Sequence, residues 1–268
     1  MVACADLDRV AVWRTAEDIQ RVARATFRRG RTVVATLVEP SVEIDPEKEK
    51  LGLEAARKMV AALGGQEKVA AIRNVRIESD VSIVTPGGAL AATSKTLYGV
   101  PDRMRSEFSL FGQSMVQAAN ATQCWRQQGG QVTDVEGEEE KETRADIERD
   151  MFLLAYPVSP NDYVLQGQGT EEGRHVVRVI GPSGRAFTTY IDAETGLPVR
   201  VTYEGKHPMT GKAAVFVEEF TDFRPVEGVR RPHRVVTTID GKPFAEKTVT
   251  GLLINGEVAA DEFVRPTG

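Results

Sequence analysis

The sequence predicts an α+β protein: a strongly curved antiparallel half-barrel of about eleven strands, with helices plugging its concave face. Three observations predict it. Hydropathy alternates with a period of two from residue 73 onward. Turn signals rich in Gly, Pro and Asn punctuate the run, many of them roughly ten or a few more residues from the next strand's end. An amphipathic helical stretch stands just ahead of the alternation. A long one-sided sheet that bends into a trough leaves an apolar inner face in need of a cover, and the preceding helix is the natural one.

Residues 1–40 read differently from the rest. Thr15-Ala-Glu-Asp18 has the form of a capping box, and Ile19, Val22, Ala23 and Phe27 follow at helical spacing until Gly30. Thr32 to Val38 is β-branched and bounded by Gly30 and Pro40, a buried strand. One helix and one strand cannot bury both their faces, so this zone is an orphan remnant that needs a partner. Residues 41–50 are polar and acidic and read as a linker. The main domain is expected over 51–268. It opens with a helix from Leu51 to Leu63 whose Leu51, Ala55, Met59 and Leu63 recur at steps of four. Gly64-Gly65 end it in a left-handed cap, and Gln66 to Ile72 allow a short second helix.

Strands follow. Val75, Ile77, Val81 and Ile83 alternate with Arg76, Glu78, Asp80 and Ser82, and Met104, Phe108 and Leu110 alternate with Arg103, Arg105, Glu107 and Ser109. Such alternation marks strands with one buried and one wet face. Pro86-Gly-Gly, Gly129-Gly130, Pro182-Ser-Gly, Asp192-Ala-Glu-Thr-Gly, Asp240-Gly and Asn255-Gly punctuate the run. Glu136 to Asp150 interrupts it with eight acids, three bases and no alternation. Its early acids, Glu138 to Glu140, suit a helix N-terminus, so it reads as a surface helix crossing one end of the sheet. Pro157 and Pro160 then make a loop before strands resume at Tyr163.

Composition narrows the function. A net charge of −5 over 268 residues lacks the footprint of a nucleic-acid binder. No run approaches the ~18 apolar residues of a transmembrane segment. The start, Met1 to Asp6, carries neither a basic nor an apolar leader region, so no signal peptide is read. Cys4 and Cys124 leave both their pairing and the redox compartment open. His175, His207 and His233 each stand alone, without a second His or a Glu at ligand spacing, so no metal site is expected. The contiguous acids Glu136 to Glu142 lack the spaced oxygens and bend glycine of a calcium loop. Gly167-Gln-Gly169 lacks the Lys and Ser/Thr of a phosphate loop, and Ser94, Ser114 and Ser183 lack a nucleophile elbow. No catalytic residue and no cofactor follow; the chain reads as a binding domain rather than an enzyme. Aromatic and aliphatic side chains at strand positions can pack the core or line an apolar groove. Phe108, Leu110, Trp125 and Phe187 are the expected ligand-binding residues, and the expected ligand is hydrophobic.

Two resemblances add to this reading. Thr15-Ala-Glu-Asp-Ile-Gln-Arg-Val-Ala-Arg-Ala-Thr-Phe followed by Arg31 to Val38 resembles the last helix and strand of insulinase-type (pitrilysin-family) zinc peptidase domains. That family's H-x-x-E-H zinc motif has no counterpart here. The resemblance therefore implies a C-terminal accessory domain, with a zinc peptidase body as partner and the catalytic part outside this chain. Residues 51–265 resemble outer-membrane lipoprotein-sorting proteins of the LolA/LolB-like kind. The carrying segments are Ala62 to Ile72, Pro101-Asp-Arg-Met-Arg, Phe111-Gly-Gln-Ser-Met-Val, Tyr190 to Arg200 and Glu219 to Val229. This second resemblance implies a periplasmic or extracytoplasmic half-barrel whose groove takes a lipoprotein acyl chain or an apolar peptide.

Overall fold

In a computed structural model, thirteen antiparallel strands among the described residues make one open sheet. They are β1 (Asn74–Thr85), β2 (Gly88–Gly99), β3 (Arg103–Leu110), β4 (Gln113–Ala119), β5 (Cys124–Gln128), β6 (Gln131–Asp134), β7 (Val164–Glu171), β8 (Arg174–Ile180), β9 (Ala186–Asp192), β10 (Pro198–Lys206), β11 (Ala213–Val226), β12 (Val229–Ile239) and β13 (Lys242–Ile254). The spatial order is β6-β5-β4-β3-β2-β1-β13-β12-β11-β10-β9-β8-β7, so the first and last of these strands meet in the middle. The structure describes residues 44–156 and 162–266, which belong to the unit Ile44–Gly268. The orphan helix and strand expected in 1–40, and the loop at Pro157 and Pro160, lie outside the described residues. The strand count exceeds the expected eleven by two. Hairpin strands as short as β5 and β6, five and four residues, give a period of two too little length to show.

Three helices join the sheet among the described residues: α1 (Pro46–Leu63), α2 (Gln66–Ala70) and α3 (Gly137–Ala155). α1 begins inside the stretch expected as a linker. Asp45 caps it, its carboxylate accepting from the Glu47 backbone N–H at 3.0 Å, and Pro46 supplies the fixed φ of a first helical residue. Ala55, Met59 and Leu63 are buried as expected, but Leu51 is half exposed and Gly52 takes its place against the sheet. A Cβ on Gly167 of β7 would stand 2.5 Å from that of Leu51, and one on Gly52 would stand 3.0 Å from Leu165. Two glycines thus let helix and strand backbones touch.

α3 departs most from expectation. It does not cross the surface; it lies against the inner face, with Ile147, Met151, Phe152, Leu154 and Ala155 buried. Four of these five anchoring residues come after the charged run, so a helix expected to end at Asp150 leaves them out. Phe152 is fully buried among the rings of Tyr156, Tyr163 and Phe187, at centroid distances of 4.9, 5.5 and 5.6 Å.

The first turn of α3 also measures the curvature. Arg126 of β5 pairs with Glu139, and Arg185, just ahead of β9, pairs with Glu138 at 3.0 Å. β5 and β9 are nine strand spacings apart, about 43 Å on a flat sheet. Adjacent glutamates can meet both only if the sheet curls round the helix. One continuous core fills the space between α1, α2, α3 and the inner face.

Candidate functional site

Antiparallel register fixes which side chains share the inner face. Tyr98, Thr96 and Ser94 of β2 stand beside Val75, Ile77 and Ser79 of β1, which stand beside Ile254, Leu252 and Val249 of β13. Val235 and Thr237 of β12 continue the surface to Phe220 and Glu218 of β11. Above this floor lie Arg149, Asp150, Leu153 and Leu154 of α3 and Leu63 of α1. Between floor and roof is a cavity of about 190 Å³. A wider opening of about 660 Å³ lies beside α3, over Phe187, Tyr203 and Phe216, and Arg149 lines both spaces.

Apolar side chains dominate the deep core, but the roofed cavity holds a cluster of charges. The Tyr98 hydroxyl donates to Asp150, and the Tyr203 hydroxyl donates to Glu218 at 2.9 Å. The Arg149 guanidinium lies 3.5 Å above the Tyr203 ring and donates to Asp146 at 3.0 Å. Arg231, 2% exposed, donates through its Nη atoms to the carbonyls of Leu153, at 3.0 Å, and Leu154. These carbonyls belong to the last turn of α3, which has no helical partners for them. Burial pushes the Asp150 carboxyl up to about 6; Glu218 adds to the push, while Arg149, Tyr98 and Lys247 oppose it. Burial, then Asp150, raises the Tyr98 hydroxyl, and burial, then Glu218, raises Tyr203. Burial brings Arg231 down to about 10. Burial also works against the charge on Arg149, but Tyr203, Asp146, Glu218 and Asp150 together outweigh it.

The four expected ligand-binding residues are not brought together. Phe108 and Leu110 face inward from β3, half buried, and Phe187 faces inward from β9 against Phe152 of α3. Seven strand spacings separate β3 from β9, so they line opposite walls of the trough. Trp125 does not join them. It pairs with Ala118 on the outer face, in a separate cluster with Val116 and Val132. The register decides this: Cys124 and Arg126 of β5 point inward, so Trp125 must point out.

Sequence reasoning missed Tyr98, Asp150, Arg231 and Glu218. A signal existed in β12, where Arg231 and His233 occupy the same parity as buried Val229 and half-buried Val235. A polar residue on the apolar side of an alternating strand marks an inner polar site. The histidines are dispersed. His175 on β8 lies 3.1 Å from Lys58 Nζ, His207 is in the β10–β11 turn, and His233 on β12 is buried with Nδ1 3.0 Å from the Arg231 carbonyl. Among the described residues no group of three His, Cys, Asp or Glu could hold a metal. No helix there is long and apolar enough to cross a membrane. Cys124 is buried, and Cys4 lies outside the described residues.

Three crystal structures share this fold. A DUF1329 family protein from Desulfovibrio piger superposes with a TM-score of 0.55 at 14% identity, over 81% of this chain and 97% of its own. A putative outer membrane lipoprotein-sorting protein domain from Vibrio parahaemolyticus gives 0.53 at 14% identity, over 81% and 97%. A LolA superfamily protein from Nitrosomonas europaea gives 0.50 at 11% identity, over 77% and 97%. At these identities the likeness is one of fold. No protein-family model matches the sequence, and no curated protein matches it. The insulinase-type resemblance of residues 15–38 finds no support in these comparisons.

Proposed function

We propose that this domain is a non-catalytic binding module whose trough takes up an acyl chain or an apolar peptide, and that it works in an extracytoplasmic setting. The observation that carries the reading is the roofed inner face: a curved sheet lined by Val235, Val249 and Leu252, covered by α3 and open beside it over Phe187, Tyr203 and Phe216. Apolar surface arranged this way around unfilled space gains free energy when a hydrocarbon chain displaces water. Support also comes from the fold shared with the Vibrio lipoprotein-sorting domain and the Nitrosomonas LolA superfamily protein. The expected groove residues Phe108, Leu110 and Phe187 face the trough and belong to this proposal; Trp125 faces away from it.

Native mass spectrometry of the purified protein, with displacement of a fluorescent fatty-acid probe, tests the proposal. Saturable binding at one site is expected. Neither copurified lipid nor saturable binding would defeat it.

A further inference from the structure

The cavity beneath α3 holds buried hydrogen-bond donors that have no acceptor among the described residues. Arg231 is 2% exposed, and its two Nη atoms are used on the α3 carbonyls, but its Nε has no partner. No carboxylate of the described residues pairs with it. Ser79, also 2% exposed, has an unpartnered Oγ. Lys247 lines the same cavity from its exposed rim, acts electrostatically on Asp150, and makes no hydrogen bond or ion pair with the described residues. The three residues sit on the adjacent strands β12, β1 and β13, with β13 in the middle. The acids of the cavity are in a different state. Asp150 accepts from Tyr98, and Glu218 accepts from Tyr203. A buried donor left unsatisfied is costly, and a buried guanidinium without a carboxylate more so. The missing partner is therefore an acceptor, and one that carries negative charge.

We propose that this cavity is the head-group site for an anionic amphiphile, a carboxylate or a phosphate, with its oxygens held by Arg231, Ser79 and Lys247. Its chain runs along Val235, Val249 and Leu252 toward the opening beside α3. The assignment rests on the trough being a ligand site and names the chemistry of what enters it. Donors on three neighbouring strands suit the oxygens of an anion, whereas a neutral hydroxyl leaves the Arg231 charge uncompensated; a cation could pair with Asp150 or Glu218, which Tyr98 and Tyr203 already engage, but would leave Arg231 without a partner.

Calorimetric titration with lauric acid, lauryl phosphate, lauryl alcohol and lauryl trimethylammonium, each below micelle formation, tests this. One anionic probe or both should bind about ten-fold or more tightly than the alcohol, as expected for charge-assisted hydrogen bonds; which of the two leads separates a carboxylate ligand from a phosphate one. In Arg231→Gln the anion-to-alcohol ratio should fall to near one. Should that variant fail to fold for want of its helix-capping bonds, Ser79→Ala should still lower the ratio. Equal binding of all four probes, preference for the cation, or an undiminished ratio in the folded variants would overturn the assignment and leave the trough reading intact. No saturable binding by any probe would overturn both.

Discussion

α1 and α3 lie on the same inner face, yet they meet it in opposite ways. α1 is closely packed: glycines on both sides bring its backbone onto β7, and Ala55, Ala56, Met59 and Val60 close the contact, with Leu63 at the cavity's edge. α3 is held by ion pairs at its first turn and by apolar side chains at its last turns, and carries Arg149 and Asp150 over a cavity. Close packing resists change, whereas a polar, incompletely filled contact can admit a ligand. The difference divides the trough into a structural wall under α1 and a working space under α3.

Mutations at the two helices sharpen or break that division. The largest effect is expected at α1. Met59→Asp places an unpaired carboxylate at a fully buried position and should cost about 4 kcal/mol or more, read as a lower urea midpoint. An unchanged midpoint would mean that the helix does not dock. Phe152→Ala empties the anchor of α3 and should cost about 3–5 kcal/mol. If α3 roofs the ligand site, this variant should also weaken fatty-acid binding in the fraction that stays folded; retained affinity would separate α3 from the site. Gly167→Ala forces α1 off β7 and should cost about 2 kcal/mol while leaving ligand affinity nearly unchanged. An affinity loss as large as that of Phe152→Ala would erase the distinction between the two walls.

The smallest effect is a pH dependence under α3. The folded Asp150 carboxyl holds its proton up to about pH 6, while the unfolded chain releases it near pH 4. Between these values the folded state binds more protons, so this group's contribution to stability falls as pH rises, by roughly 2 kcal/mol across the window. Asp150→Asn removes that fall. Urea midpoints taken from pH 4 to pH 7 should therefore rise for the variant relative to the parent chain as pH increases. Parallel profiles would show that Asp150 titrates normally.

How far the sequence reaches differs along the chain. The inner face of β3 was legible because Met104, Phe108 and Leu110 alternate with charged and polar neighbours over eight residues. α1 was legible from its apolar steps of four, although Asp45 and Pro46 set its start earlier than composition suggested. α3 was misplaced because its charged first turns look like solvent-exposed surface. They serve as the contact by which Arg126 and Arg185 hold both sides of the trough. Trp125 was set on the wrong side of the sheet because β5 is too short for its parity to be read without the register of β4.

By itself, then, the sequence determined an alternating antiparallel sheet with amphipathic helices and a hydrophobic inner face. Those follow from local hydropathy, turn chemistry and helix caps, each set by residues close together in the chain. Only the tertiary structure decided that β1 and β13 meet at the centre, that α3 is the roof, and that Ser79, Asp150, Arg231 and Lys247 share one cavity. Pairing between strands far apart in sequence, and the curl that wraps them round a helix, depend on which buried surfaces fit one another, and no local pattern encodes that fit.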